Sequence, residues 1–555
     1  MGYFEVNCQL CGVSFNISRI RTAEEPKSSA WGHGMRSRWV DGGNYYGCQP
    51  EDGCTVVFRG DPLTMPREPD LLDKYDDETD TSEDSWIEDE ETVSSGSDDG
   101  EESDSSDSGG EEESNTPSSQ PHDAVSEEIF MPITSAVDDF ELNGSYEHIA
   151  GPGCKNTQGY NGHRISVDEM QGCHTVQCLL EKGGGWKPEV GDLNCELQGN
   201  QYITGLADRM PPGGSFIIFS PARHGTGVGH AQVEFEGTPA TIQELPVIAL
   251  PFHPTCFELF SQASRKLFGH VDIDTLVRIR NEVALGSTEF PVENSADVIR
   301  ARQQVWVSEV GCEYLAANPI FIRELKYILA SAVSNDEKFS VQASPFERGT
   351  TAKQLSVSND PFLSFPREIV YGILSYLDSP AIAALRLSSR TFEHLPISLW
   401  RELVVNEMPW LYEAWSSDPE PYYWATIDAS DMKKKMKARE KFQEKIEHDR
   451  EVIEQEMPEI YDEWKDAEPE FEWPESVEQQ KLSDLSPVKL PRYKTNWYKL
   501  YRDITLNWDK LKGLQNRKRI WGDIMQLMDV MEWFRDGHDL WFHKFYVNRR
   551  MPRQT

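Results

Sequence analysis

Apolar positions change their spacing along this chain, and each change predicts a different kind of element. Within residues 140–333, the runs QYITGL, GGSFIIFS and HAQVEFEG are β-branched or alternating and flanked by Gly and Pro, which predicts short strands. In the same region Cys256–Leu267 and Ile299–Leu329 carry apolar residues at helical spacing and predict helices. From Pro361 to Leu403 three short helices are predicted in succession. Pro366 suits a first turn, and Ile369, Val370, Ile373, Leu374 and Leu377 then share one face. Ser379-Pro380 reads as an N-cap and first-turn pair, followed by Ile382, Leu385 and Leu387, and Leu399, Trp400 and Leu403 repeat the pattern. Farther on, Met432–Met457 predicts a long charged helix with a sparse stripe of Met436, Phe442, Ile446, Ile453 and Met457. Trp497–Tyr546 predicts helices that bury aromatic residues.

These texture changes imply a multi-domain α+β protein. The expected order is a Cys-containing segment (residues 1–68), an acidic insert (69–139), a mixed α+β domain (140–333), a linker (334–359), the three-helix module (360–404) and a helical, Trp-rich region (405–555). No repeat of 20–50 residues marks the C-terminal half as a solenoid or propeller. The insert sharpens the picture of charge. Of the net −40, 26 acidic residues and no Lys or Arg fall between Tyr75 and Cys154, which leaves an ordinary −14 elsewhere. A segment so polar cannot bury enough apolar surface to offset chain entropy, so disorder is expected there. Its Ser85, Ser95 and Ser108 each precede an acidic residue by three positions, the pattern of acidophilic phosphorylation; a plain solvated spacer is the alternative. The overall acidity argues against nucleic-acid binding, which needs clustered Lys and Arg.

No apolar run reaches membrane-spanning length, and the N-terminus lacks the basic and apolar regions of a signal peptide. Gly2 is followed by Val6 where a myristoylation signal wants Ser or Thr. An intracellular protein, cytoplasmic or nuclear, is expected, with its ten Cys as reduced thiols or metal ligands.

The three-helix stretch closely resembles an F-box. Phe365-Pro366-Arg367-Glu368-Ile369, Ile373-Leu374-Ser375-Tyr376-Leu377, Ser389-Arg390-Thr391-Phe392 and Leu399-Trp400 follow the order and spacing of that family, with Phe365 where Leu is usual. CQLCGVSFNISRIR at Cys8–Arg21 and LPFHPTCFELFSQASR at Leu250–Arg265 are similar to segments that recur in a large group of fungal F-box proteins. The resemblance implies a substrate-recruiting subunit of an SCF-type cullin–RING ubiquitin ligase. It would bind a Skp-family adaptor and, through it, a cullin, and would hold a protein substrate through flanking regions without catalysing chemistry itself. By the same resemblance Pro366, Ile369, Ile373, Leu374, Leu377, Leu385 and Trp400 lie at or just beneath the adaptor interface. The module follows some 360 residues, so the substrate surface could lie on either side of it. The competing reading is an interaction scaffold whose acidic tract engages basic nuclear proteins.

Two Cys-containing patterns suggest metal. Cys8-x-x-Cys11 has zinc-knuckle spacing, and the looser pair Cys48 and Cys54 completes a four-thiol candidate for structural zinc, with free buried thiols as the alternative. Cys173, His174, Cys178, His253 and Cys256 form a second candidate, in which His253-x-x-Cys256 has ligand spacing but opens a run that looks like helix core. Gly225, Gly227 and Gly229 precede a strand rather than a helix and read as a turn, not a phosphate cradle. Lys433–Lys437 reads as a solvated helix face. No Walker A, kinase, GxSxG or HExxH pattern is present, so no catalytic residues are expected.

Overall fold

The computed structural model describes residues 6–32, 47–60, 128, 130–132, 145–188, 192–208, 219–221, 228–233, 248–286, 292–303, 305–346, 360–467, 469 and 477–538. The chain is a mixed α+β protein. Its largest sheet has the order β7–β6–β11–β10–β9: β7 (Gln201–Ile203), β6 (Thr175–Glu181), β11 (Ile248–Phe252), β10 (Val228–Val233) and β9 (Phe219–Pro221). A short β8 (Ala207–Asp208) also pairs with β6. Only β10 and β11 run parallel within it. Strand β6 is buried on both faces up to Glu181, which explains its nearly unbroken apolar reading. A three-stranded antiparallel sheet places β2 (Thr55–Gly60) between β3 (Phe130–Pro132) and β4 (Ser145–Ile149). The two-residue strands β1 (Arg19–Ile20) and β5 (Tyr160–Asn161) form a parallel pair.

Ten helices of nine or more residues follow among the described residues. They are α1 (Pro254–Phe268), α2 (Ile273–Gly286), α3 (Arg323–Ala332), α4 (Arg367–Ser375), α5 (Ser379–Ser388), α6 (Ile397–Glu407), α7 (Ala429–Glu456), α8 (Val477–Leu485), α9 (Trp497–Leu506) and α10 (Lys512–Arg535). Helix α10 lies against α1 and α2, and α9 lies against α6 and α3. The C-terminal helices therefore hold both the sheet domain and the three-helix module.

Several expectations need correction. One continuous apolar cluster runs from Val6 through Phe257, Leu399 and Trp497 to Met531, so the sheet domain, the module and the C-terminal helices pack on a shared core. The expected linker is in part integral. Its Val341 and Ala343 carbonyls accept from the Ser398 and Ile397 amides, and the Arg386 guanidinium sits 3.9 Å from the Phe346 ring centre. Residues 347–359 lie outside the described residues, as does most of the acidic insert. The insert's distal end is nevertheless built in, because Phe130–Pro132 pairs with Thr55–Val57 and Glu128 accepts from Arg21 at 2.7 Å. The helical spacing over 299–329 is realised as separate short segments, since Gly311 takes φ +90° and Asn318, before Pro319, caps the Ile320 and Phe321 amides with its own side chain. The N-cap of α5 is Asp378, whose carboxylate accepts from Ala381 N, and Ser379 is the first helical residue. Within Lys433–Lys437, Lys435 is buried against Tyr423 instead of facing solvent. Gly229 lies on β10, while Gly225 and Gly227 lie outside the described residues.

Two buried ion pairs fasten distant segments. Arg517 donates through Nη1 to both Glu413 carboxylate oxygens at 2.8 and 3.0 Å, and through Nε to Pro319 O at 2.6 Å. Arg21 donates through Nε to Glu147 at 2.8 Å and so ties the N-terminal segment to β4.

Candidate docking face and candidate metal centres

Helices α4, α5 and α6 form the three-helix module. Its inner side is anchored: Trp400 packs its ring 4.9 Å from that of Tyr498 and 5.2 Å from that of Tyr501. Glu407, on α6, accepts from Ser379 N at 2.6 Å, from Ser379 Oγ at 2.9 Å and from Tyr501 OH at 2.8 Å, joining the start of α5 to α9. Asp360 accepts from Ser389 Oγ at 2.6 Å and Thr391 Oγ1 at 3.0 Å, closing the module's entry onto its second turn.

The seven positions expected at the adaptor interface separate into two groups. Leu374, 1% exposed, and Trp400, 9% exposed, belong to the chain's own core, and Ile373, Leu377 and Leu385 are half-buried beside them. Pro366 and Ile369 face outward, Ile369 with 51% of its surface exposed. Other large apolar side chains of the module are also exposed: Phe365 is 42% exposed, and Tyr376 and Leu387 are each 92% exposed. Phe365 stacks edge-on with Phe362, which stacks on fully buried Phe392, so the outer apolar surface is continuous with a rigid interior. Helical phase could have separated the groups, because Ile369 and Leu374 lie five residues, about 140° of rotation, apart.

The four thiols expected at one site do not meet. Cys8 and Cys11 instead converge with His253 and Cys256, while Cys48 and Cys54 converge with His148 and Cys154. In each group one ligand atom per residue lies within 4.8 Å of the others, and all eight residues are buried. Local geometry explains the first group. Cys8–Gly12 forms a tight knuckle in which Gly12 N donates to Cys8 O and Cys8 N to Val13 O, with Gly12 at φ +73°. His253 is the N-cap of α1 and Pro254 its first residue, so Cys256 stands in the first turn, one turn's rise from His253. Cys11 Sγ and Cys256 Sγ lie 3.6 and 3.8 Å from His253 Nδ1. On the ring's other side His253 Nε2 lies 2.9 Å from Cys173 O, and a carbonyl only accepts, so Nε2 carries the proton. His253 N donates to Cys8 Sγ at 3.4 Å. Arg519 donates to Cys11 O at 2.8 Å, bringing a fixed cation beside the thiols.

In the second group a short turn at Pro50–Asp52 brings Cys48 and Cys54 to one side, and the chain leaving β4 returns Cys154 beside His148. Cys48 Sγ lies 3.7 Å from Cys154 Sγ and 3.9 Å from His148 Nε2, Cys154 Sγ lies 3.4 Å from that same nitrogen, and Gly151 N donates to Cys54 Sγ at 3.4 Å. Gly151 is required there, because a Cβ would meet the Asp52 carbonyl oxygen at 2.3 Å. The other residues of the second sequence candidate stay apart from both groups: Cys178 is buried on β6, and Cys173 contributes only its carbonyl to His253.

Within each group the thiols share protons, some held down and others raised: burial and the bond to Cys11 push Cys256 well up, and the bond to Cys48 pushes Cys154 up. Burial pushes the Cys11 thiol up, but hydrogen bonds from Cys256, Cys8 and His253 outweigh it and hold it well below the usual thiol range. Hydrogen bonds from Cys154 and Cys54 hold Cys48 far below that range too. Burial acts to lower His253, yet the charge on Cys8 and the bond to Cys11 push it up to about 10.

No family model matches the chain, and no solved structure matches it. Among curated proteins, a 56-residue stretch is 45% identical to part of the ATP-dependent RNA helicase mss116, mitochondrial, of Aspergillus oryzae, covering 10% of this chain and 8% of that protein. The chain thus spans less than a tenth of that relative's length, an extent that shows neither a family nor an activity. Among the described residues, no helix is long and apolar enough to cross a membrane.

Proposed function

We propose that this chain is an F-box substrate-recruiting subunit of an SCF-type ubiquitin ligase, and that the face carrying Phe365, Ile369 and Leu387 docks onto a Skp-family adaptor. The observation that carries this reading is that large apolar side chains stand exposed on the outer side of a helical module whose inner side is fixed to the chain's own core. Exposed large apolar side chains suit an association surface, and truncation of a few apolar anchors typically removes most of the binding energy of such an interface. The reading also draws on the motif order from Phe365 to Trp400. The adaptor in turn would bring a cullin, and a protein substrate would be held elsewhere on the chain. The module contributes docking and no bond chemistry, so the chain would act as a receptor and not as an enzyme. Affinity capture of the full chain followed by identification of its partners tests this. Stoichiometric recovery of a Skp-family adaptor with a cullin supports it, and recovery of basic nuclear proteins without an adaptor overturns it.

A further inference from the structure

We infer that the chain holds two structural zinc ions, one bound by Cys8, Cys11, His253 and Cys256 and the other by Cys48, Cys54, His148 and Cys154.

The spacing of the ligand atoms carries the argument. Tetrahedral zinc holds sulfur at about 2.3 Å and imidazole nitrogen at about 2.0–2.1 Å, so its ligand atoms must lie roughly 3.5–3.8 Å from one another. Two of the six pairs in the first centre fall at 3.6 and 3.8 Å and three of the six in the second at 3.4, 3.7 and 3.9 Å, with every pair inside 4.8 Å. A disulfide holds its sulfurs at about 2.05 Å, so Cys48 and Cys154, 3.7 Å apart, are unbridged. Sulfur-rich sets with one imidazole select zinc, and four protein ligands leave no position open for a substrate water, which makes both centres structural.

A second, independent observation is the outer support of the first centre. Nε2 of His253 donates to Cys173 O and so leaves Nδ1 on the side of the sulfurs as the nitrogen that would ligate zinc, the outer-shell arrangement that fixes a ligating histidine. Three thiolates and Zn²⁺ would carry a net charge of −1, and Arg519 donates to Cys11 O beside them while pairing with Asp523 at 3.1 Å. The amides of His253 and Gly151 donate to Cys8 Sγ and Cys54 Sγ, as suits thiolate acceptors.

Each ion closes a long loop. The first would clamp the N-terminal knuckle to the start of α1, across 242 positions. The second would join Cys48 to His148 and Cys154, across 100 and 106 positions, and so bracket the acidic insert and hold the chain on either side of it together.

Metal analysis of the full chain purified without chelator tests the inference. Two zinc per chain are expected, one after Cys8→Ser with Cys11→Ser and one after Cys48→Ser with Cys54→Ser, and still two after Cys195→Ser. Zinc K-edge absorption of the unaltered protein, which needs no variant to fold, should give an average shell of three sulfurs and one nitrogen. A folded chain without zinc, an unaltered chain that holds only one zinc and loses it on either double substitution, or an oxygen-dominated shell would overturn the assignment. The single-zinc result would instead favour one site shared by the four N-terminal thiols.

Discussion

Cys11 Sγ and His253 Nδ1 lie 3.6 Å apart although 242 positions separate them in sequence. That contact sets the knuckle of the first residues against the first turn of α1. Gln9 N reinforces it by donating to Pro251 O at 2.9 Å on the strand that leads into the helix. Substitutions that disturb the knuckle should therefore be read in the stability of the whole chain and not of a detached N-terminal segment.

Gly12→Ala tests the knuckle without touching a sulfur. The backbone at Gly12 has φ +73°, and an added Cβ would meet Asn294 Oδ1 at 2.4 Å. The left-handed conformation alone should cost about 1–2 kcal/mol. Urea unfolding should show a lower midpoint with an unchanged slope. Asn294→Ala in the same background should recover only the part due to the steric contact.

Glu413→Ala should be more damaging. It would leave the Arg517 guanidinium, whose side chain has no exposed surface, without its carboxylate. Removing one partner of a buried pair typically costs about 3–5 kcal/mol, because the remaining charge is uncompensated. Calorimetry should record a lowered transition for the sheet domain and the C-terminal helices together, because Arg517 also donates to Pro319 O and Ile320 O.

Leu374→Ala and Ile369→Ala should act in different ways. Leu374 is buried in the shared core, so its truncation should cost about 2–5 kcal/mol of stability. Ile369 faces solvent, so its truncation should change stability by no more than about 0.5 kcal/mol. Chemical denaturation of both variants checks the contrast.

Deletion of residues 93–121 should leave the melting transition nearly unchanged. The deletion spares Glu128 and Phe130–Pro132, and with them the Arg21 bond and the β2–β3 pairing that anchor the distal end of this region. A fall of many degrees on scanning calorimetry would show that the deleted stretch packs against the fold.

The elements legible in the sequence were those whose periodicity is local. Helices α1, α7 and α10 and the three module helices all fall where apolar spacing places them, although of the stripe expected on α7 only Met436 and Ile446 are buried and Met457 is exposed. The shared core was not legible: Trp400 meets Tyr498 and Tyr501 only through the tertiary fold, and nothing near Trp400 in sequence distinguishes a partner protein from a distant helix. The same limit governed the Cys residues. Cys8-x-x-Cys11 and His253-x-x-Cys256 were each recognisable as half a site, but spacing cannot say which halves join, and proximity in sequence favoured Cys48 and Cys54 as the partners of Cys8 and Cys11. The knuckle joins β11 and α1 instead, because strand β11 delivers His253 to it.

The most direct test of the account is the affinity of the purified full chain for a purified Skp-family adaptor, measured by calorimetric titration alongside a Phe365→Ala, Ile369→Ala, Leu387→Ala variant. All three side chains are exposed, so the variant should melt with the unaltered chain. Its affinity should fall at least about 100-fold, equivalent to about 2.8 kcal/mol. Equal affinity of the two folded proteins, or no binding by either, would contradict the account.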